Sequence, residues 1–199
     1  MEKYRRLELL VIAVFELVFL ALGIQAVLIN DIPRFYNTLV AMVLILIPVL
    51  VEKAKDVRLP FGLKSLVPLS IFFHLAGGIM SWYWIYPPYG YLAHVVSGMA
   101  VAMVVFTFFV FLDYYGMRTS RPGVLLGTLV ITMCFGAIWD MGEIIIDVMF
   151  STSYSNGVWD TGGDIISDII GVLILLWIVN RYMEAIPEGE GLGYLLRRS

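Results

Sequence analysis

Asp140, Glu143 and Asp147 recur at i, i+3 and i+7, and Asp160, Asp164 and Asp168 at i, i+4 and i+8, inside segments that are otherwise apolar. On a helical wheel the first set covers a sector of about 60° and the second about 80°. Two narrow acidic stripes on consecutive antiparallel helices can face each other. His74 and His94 are the only histidines of the chain, and both fall in apolar segments. Mixed imidazole and carboxylate donors suit Zn, Mn or Fe, whereas carboxylates alone suit Mg or Mn. The pattern therefore predicts a divalent-metal site built from His94, Asp140, Glu143, Asp164 and Asp168, with His74 and Asp160 as further ligands. Such a metal could activate water for hydrolysis or group transfer on a lipid-type or isoprenoid-linked substrate. In that chemistry Glu143 or Asp168 would serve as general base.

The elements that must carry these groups are membrane helices. The chain has 199 residues, 60% hydrophobic and 15% charged, well away from the balance of a soluble domain. Apolar runs of bilayer length lie near 7–29, 35–51, 64–86, 91–112, 124–150 and 162–182. The fold class expected is all-α: a polytopic six-helix transmembrane bundle forming a single domain over residues 1–182, with a polar, mobile tail at 183–199. The basic start MEKYRR resembles the n-region of a signal peptide. The run that follows is too long for an h-region and contains Glu16, so it reads as the first transmembrane helix. Turn chemistry marks the connections at 30–33, 87–90, 121–123 and 151–157. Cys134 is the only cysteine, which excludes an intramolecular disulfide. The expected surroundings are a lipid bilayer, with no nucleic-acid partner.

Charge predicts an orientation. With the N-terminus inside, twelve of the thirteen basic residues fall on or near the cytoplasmic side and only Arg34 faces out, which the positive-inside rule favours for an N-in, C-in chain of the cell membrane. Trp82, Trp84, Tyr86, Tyr89, Tyr91 and Trp159 then gather at the outer interface. At about 1.5 Å per residue, Asp140 lies roughly 13–15 Å below the outer end of the fifth span. Asp160, Asp164 and Asp168 descend from the outer boundary of the sixth. Gly136, Gly142, Gly162, Gly163 and Gly171 border these acids, and Gly77, Gly78, Ser97 and Gly98 border the histidines, so the backbones can approach closely.

Each acid has a plainer reading. Asp160 can be the N-cap of the last helix, Asp147 can be solvated at the interface, and Glu16 can face a crevice apart from the site. A lone intramembrane histidine is often a helix-to-helix hydrogen-bonding group. Asp140, Glu143, Asp164 and Asp168 have no basic residue at their depth to neutralise them. An ionised carboxylate at mid-bilayer costs about 2.5–3.5 kcal/mol on insertion scales. A proton or cation pathway is accordingly the alternative function, and an accessory subunit whose acids complete a partner's site is the third. A pathway predicts polar groups on the cytoplasmic half, yet Ala102–Leu112 and Val124–Cys134 read as apolar, which favours a dead-end site.

Three blocks carry a family resemblance. Tyr91-Leu92-Ala93-His94-Val95-Val96-Ser97-Gly98 resembles the His-x-x-x-Gly block of the YjdF-like family of inner-membrane proteins. Phe135–Glu143 is similar to its aromatic–acid–x-x–Glu block, where the family often has Glu at the position of Asp140. Trp159-Asp160-Thr161-Gly162-Gly163-Asp164 resembles its Trp-Asp-Thr-x-x-Asp block, with a glycine following at the place of Gly171. The likeness spans about residues 89–175. It implies that His94, Asp140, Glu143, Asp160 and Asp164 are family-typical polar positions, and it implies no reaction. Neither a His-Glu-x-x-His pair nor the Asp-x-x-Asp-Gly-x-x-Ala-Arg start of the CDP-alcohol phosphotransferases is present.

Overall fold

A computed structural model describes residues 2–60, 62–86, 88–150 and 158–197. The expected turn at 151–157, Pro87 of the 87–90 turn and Arg198 lie outside them. The described residues form seven α-helices: α1 (Glu2–Leu28), α2 (Ile32–Lys55), α3 (Leu63–Ile79), α4 (Trp82–Ile85), α5 (Tyr89–Tyr114), α6 (Arg121–Phe150) and α7 (Val158–Glu184), followed by a 3-10 turn at Leu192–Leu196. The all-helical expectation holds, and the protein is a multi-pass membrane protein. Five helical stretches are long and apolar enough to cross a membrane: Arg6–Leu28, Ile32–Lys55, Tyr89–Tyr114, Arg121–Met149 and Trp159–Glu184.

The third expected span, 64–86, is not one helix. α3 stops after 17 residues, about 26 Å of rise and slightly less than a hydrocarbon core. Ser81 takes the left-handed conformation (φ 59°), which ends the helix. The apolar run continues, but its aromatic rings fold back. Trp82 packs edge-on against Phe72, and Tyr83 against Tyr89. The Tyr89 hydroxyl donates to the Phe73 carbonyl at 2.8 Å. Gly77 makes room for this return, since a Cβ there would meet Tyr83 and Tyr89. The second span is longer than its apolar core. The Asp31 carboxylate caps it by accepting from the Arg34 N–H at 3.1 Å, and Asp56, left-handed at φ 52°, closes it.

The chain divides into two compact units, Met1–Ala93 with Leu195–Ser199, and His94–Tyr194. In the first unit α1, α2 and α3 pack around Phe19, Ala26, Ala41, Ile45 and Ala76. In the second, α6 and α7 run antiparallel, because Arg121 meets Asn180 while Gly136 meets Asp168. α5 and α7 run in the same direction. Gly98 abuts the Asp168 backbone and Gly171 abuts the Val95 carbonyl, so the two backbones touch. Glycine at both places is what permits that approach. The expected mobile tail is docked where it is described. The Gly193 N–H donates to Asp113 Oδ2 at 2.8 Å, the Arg58 N–H donates to the Leu196 carbonyl at 3.0 Å, and Leu192 and Leu196 are buried.

Candidate functional site

The glycine contact between α5 and α7 decides where the site forms. With the backbones touching at Gly98 and Gly171, His94 lies one turn before the crossing and reaches Asp164 and Asp168 on α7. Its Nε2 is 3.5 Å from Asp164 Oδ1 and its Nδ1 is 3.4 Å from Asp168 Oδ1. Both ring nitrogens therefore face carboxylates, at separations longer than the ~2.7–2.9 Å of a tight charge-assisted hydrogen bond. The imidazole sits between the two acids. His94, Asp164 and Asp168 are all buried.

Asp140 joins from α6. It is within Coulombic reach of His94 and Asp168, it is 5% exposed, and neither of its oxygens has a hydrogen-bond partner among the described residues. Gly136, one turn earlier on α6, gives the Asp168 carboxylate its space. A Cβ at that position would lie 2.6 Å from Asp168 Oδ2. Three carboxylates thus share one imidazole, and among the described residues no lysine or arginine pairs with any of them. Burying several carboxylates around one imidazole is costly unless their charge is offset.

The remaining expected residues divide. Glu143 is half-buried and lies within Coulombic reach of His94, Asp140 and Asp164. Its Oε1 accepts a 2.9 Å hydrogen bond from Trp139 Nε1, so it has a local partner that Asp140 lacks. Asp160 is partly exposed at the start of α7, within Coulombic reach of Asp164. Asp147 is partly exposed near the end of α6. His74 belongs to the first unit, where its Nδ1 is 2.9 Å from the Tyr83 hydroxyl. Glu16, also of that unit, keeps a buried Oε1 without a partner. As the side chains stand, no three His, Cys, Asp or Glu groups among the described residues converge closely enough to hold a metal ion.

Two features escape a reading by apolar run length. Thr128 and Thr132 lie in the half of α6 read as apolar, yet both are buried and both hydroxyls lack hydrogen-bond partners among the described residues. Their spacing was the available signal, since Thr128, Thr132, Gly136 and Asp140 fall at four-residue intervals. The second feature is in the first unit. Lys64, 2% exposed, is 2.7 Å from Glu8 Oε2 and 2.8 Å from both Glu52 oxygens. The Leu59 N–H adds a further hydrogen bond to Glu52 Oε1.

Neither a curated protein nor a solved structure matches the chain. A family model described as "Predicted membrane protein (DUF2238)" matches residues 7–185, which include all three blocks of the resemblance. The chain therefore belongs to that family of predicted membrane proteins, with which the YjdF-like resemblance is consistent.

Proposed function

We propose that the second unit carries the proton-exchanging site of a proton pathway through the membrane, with His94, Asp140, Asp164 and Asp168 as the exchanging groups. The observation that carries this reading is the Asp140 carboxylate, buried beside His94 and Asp168 with neither oxygen partnered. A proton is the smallest species that removes its charge without moving any side chain. His94, set between Asp164 and Asp168 at 3.5 and 3.4 Å, can carry a proton from one carboxylate to the other by small ring motions. Intramembrane carboxylate and histidine chains commonly serve such relays. By the orientation expected from charge, the site opens to the extracytoplasmic side.

The test is proton flux into proteoliposomes under an imposed pH gradient, read with an entrapped pH dye. Flux should exceed that of empty vesicles and fall to their level in Asp140→Asn and His94→Phe. Wild-type protein no faster than empty vesicles would overturn the reading.

A divalent metal ion is the second occupant to consider, favoured by one observation. His94 facing Asp168 through Nδ1 is the pairing by which carboxylates orient metal-ligating imidazoles. A metal on Nε2 would require Asp164 and Asp140 to close on it, and the hydrolase or transferase chemistry on a lipid-type substrate would follow from there. Elemental analysis of purified protein separates the two. A stoichiometric metal lost in Asp164→Asn selects the metal site, and its absence leaves the proton.

A further inference from the structure

Buried hydroxyls on membrane helices ordinarily satisfy themselves by donating to the carbonyl one turn earlier. Among the described residues, Thr38, Thr107 and Ser167 are examples. Thr38 donates to the Arg34 carbonyl at 2.7 Å, Thr107 to Met103 at 2.7 Å, and Ser167 to Gly163 at 2.8 Å. Thr128 and Thr132 do not. They are 0% and 3% exposed, and their hydroxyls have no partner. A buried hydroxyl left without a hydrogen bond costs about 1–3 kcal/mol, and two in succession on one helix face call for a ligand that can bond to both.

Their register identifies what lies beyond them. Proceeding from Thr128 in steps of four residues, α6 presents Thr132, Gly136 and then Asp140. Gly136 offers no side chain, and its place is filled by Asp168 Oδ2. The polar groups along this line are thus hydroxyl, hydroxyl, carboxylate, carboxylate, each displaced from the last by about 6 Å along the axis. Two hydrogen bonds of about 2.8 Å through one water span that step. A water at each step would have the two or more polar partners that a buried water needs, once the packing that leaves Thr128 and Thr132 at 0% and 3% exposure opens to admit it. At the other end, one further step back is Val124, apolar and fully buried. Beyond it, Arg121 donates to Asn180 Oδ1 at 2.6 Å and to Glu184 Oε1 at 3.0 Å, so the start of α6 is polar.

We propose that Thr128 and Thr132 hold a file of water that gives Asp140 and Asp168 a second access route, from the membrane face bearing Arg121. The site is then open to both faces, with the Val124 turn as the single apolar step in the route. This deepens the reading above and rests on it only for the use to which the route is put. The route itself is a claim about water.

Cysteine accessibility tests it directly. In a Cys134→Ala background, Thr128→Cys and Thr132→Cys are compared with the lipid-facing controls Leu126→Cys and Val130→Cys. The reagent is the water-soluble cation methanethiosulfonate ethylammonium, added to vesicles of each orientation. Thiols react as thiolates and only where water reaches them, so the threonine positions should label roughly tenfold faster than the controls from the Arg121 face. Labelling no faster than the controls overturns the route. A second measurement spares the fold: Thr128→Val with Thr132→Val keeps the shape of both side chains and should slow flux by about tenfold. If the wild-type protein shows no flux but the threonine positions still label, the route stands and the transport reading fails. If flux is present and unchanged by the double variant, protons reach the site another way and the route is withdrawn.

Discussion

Each unit buries a cluster of charged side chains, and the two clusters are built on opposite terms. In the first unit one ammonium, Lys64, meets two carboxylates at 2.7 to 2.8 Å, and a backbone N–H from Leu59 supplements it. These are the lengths of tight charge-assisted hydrogen bonds. Glu8 on α1, Glu52 on α2 and Lys64 on α3 are thereby tied together. In the second unit three aspartates meet a single imidazole at 3.4 to 3.5 Å or not at all, and Asp140 has no hydrogen bond. The first cluster has its counter-charge built in, through a side chain that cannot leave. The second has one imidazole for three carboxylates and, among the described residues, no lysine or arginine paired with them. A cluster closed on itself fastens helices, whereas one left open can bind, release and report.

The contrast is sharpest in stability, where the two clusters should respond with opposite signs. Lys64→Met leaves Glu8 and Glu52 buried without a counter-charge. Removing one partner of a buried pair costs about 3–5 kcal/mol, so this variant should show the largest loss of thermal stability in detergent. Adding Glu8→Gln and Glu52→Gln should restore most of it, because no charge then remains to be compensated. A Lys64→Met protein that melts as the wild type does would remove the fastening role and half of the comparison.

Asp140→Asn tests the other half. Here the substitution takes away an acid that needs a held proton to stay buried, so the protein should become more stable under alkaline conditions that strip that proton, while proton flux is lost. Stability gained at the cost of function is the usual mark of a strained functional site. Loss of stability on this substitution would mean that Asp140 is satisfied in the membrane by a partner it keeps, and the two clusters would be alike.

Gly136→Ala probes the geometry rather than the charge. The new Cβ would meet Asp168 Oδ2 at 2.6 Å, and a side-chain carboxylate can swing away where a backbone cannot. The expected loss is about 1 kcal/mol, the low end for overpacking, with flux falling further than stability does. Gly171→Ala points its Cβ at the Val95 backbone instead and should cost about 1–3 kcal/mol. Comparing the two by thermal melting and by flux separates a displaced acid from a displaced helix.

How much of this was legible beforehand follows from the range of each signal. Apolar runs of bilayer length located the long helices, since length against bilayer thickness is a local property. The break at Ser81 was hidden because Trp82, Tyr83, Trp84 and Ile85 continue the apolar run, while Trp82 and Tyr83 fold back on α3, against Phe72 and His74. His94, Asp140, Asp164 and Asp168 were legible from spacing, because a carboxylate in an apolar helix is conspicuous. That the stripes could face each other, with glycines letting the backbones close, was legible too. The particular pairing of Gly98 with the Asp168 backbone and of Gly171 with Val95 was not, because it depends on the register between two helices distant in sequence. Lys64 stood at the edge of an apolar run and looked like a boundary lysine. Its partners, Glu8 and Glu52, come from two other helices, beyond the reach of any local pattern. Thr128 and Thr132 shared a register with Asp140, but two threonines in an apolar stretch do not disturb its hydropathy.

The smallest effect sharpens the comparison within the second unit itself, between Glu143 and Asp140. Trp139 Nε1 donates to Glu143 Oε1 at 2.9 Å, one helical turn away, and the Trp139 ring is largely exposed. Trp139→Phe keeps the ring and removes only the donor. A hydrogen bond to a charged acceptor contributes about 1.5–3 kcal/mol when buried, but in this exposed, local setting the loss should be below about 1 kcal/mol. Stability should barely move. The informative readout is flux: with its donor gone, Glu143 joins Asp140 as an acid without a partner beside His94, and the site gains a group that can exchange a proton. Flux in Trp139→Phe should therefore equal or exceed that of the wild type. A fall in flux without a fall in stability would instead assign Glu143, held by Trp139, to the exchanging set. The division between satisfied and unsatisfied carboxylates would then lie elsewhere in the cluster.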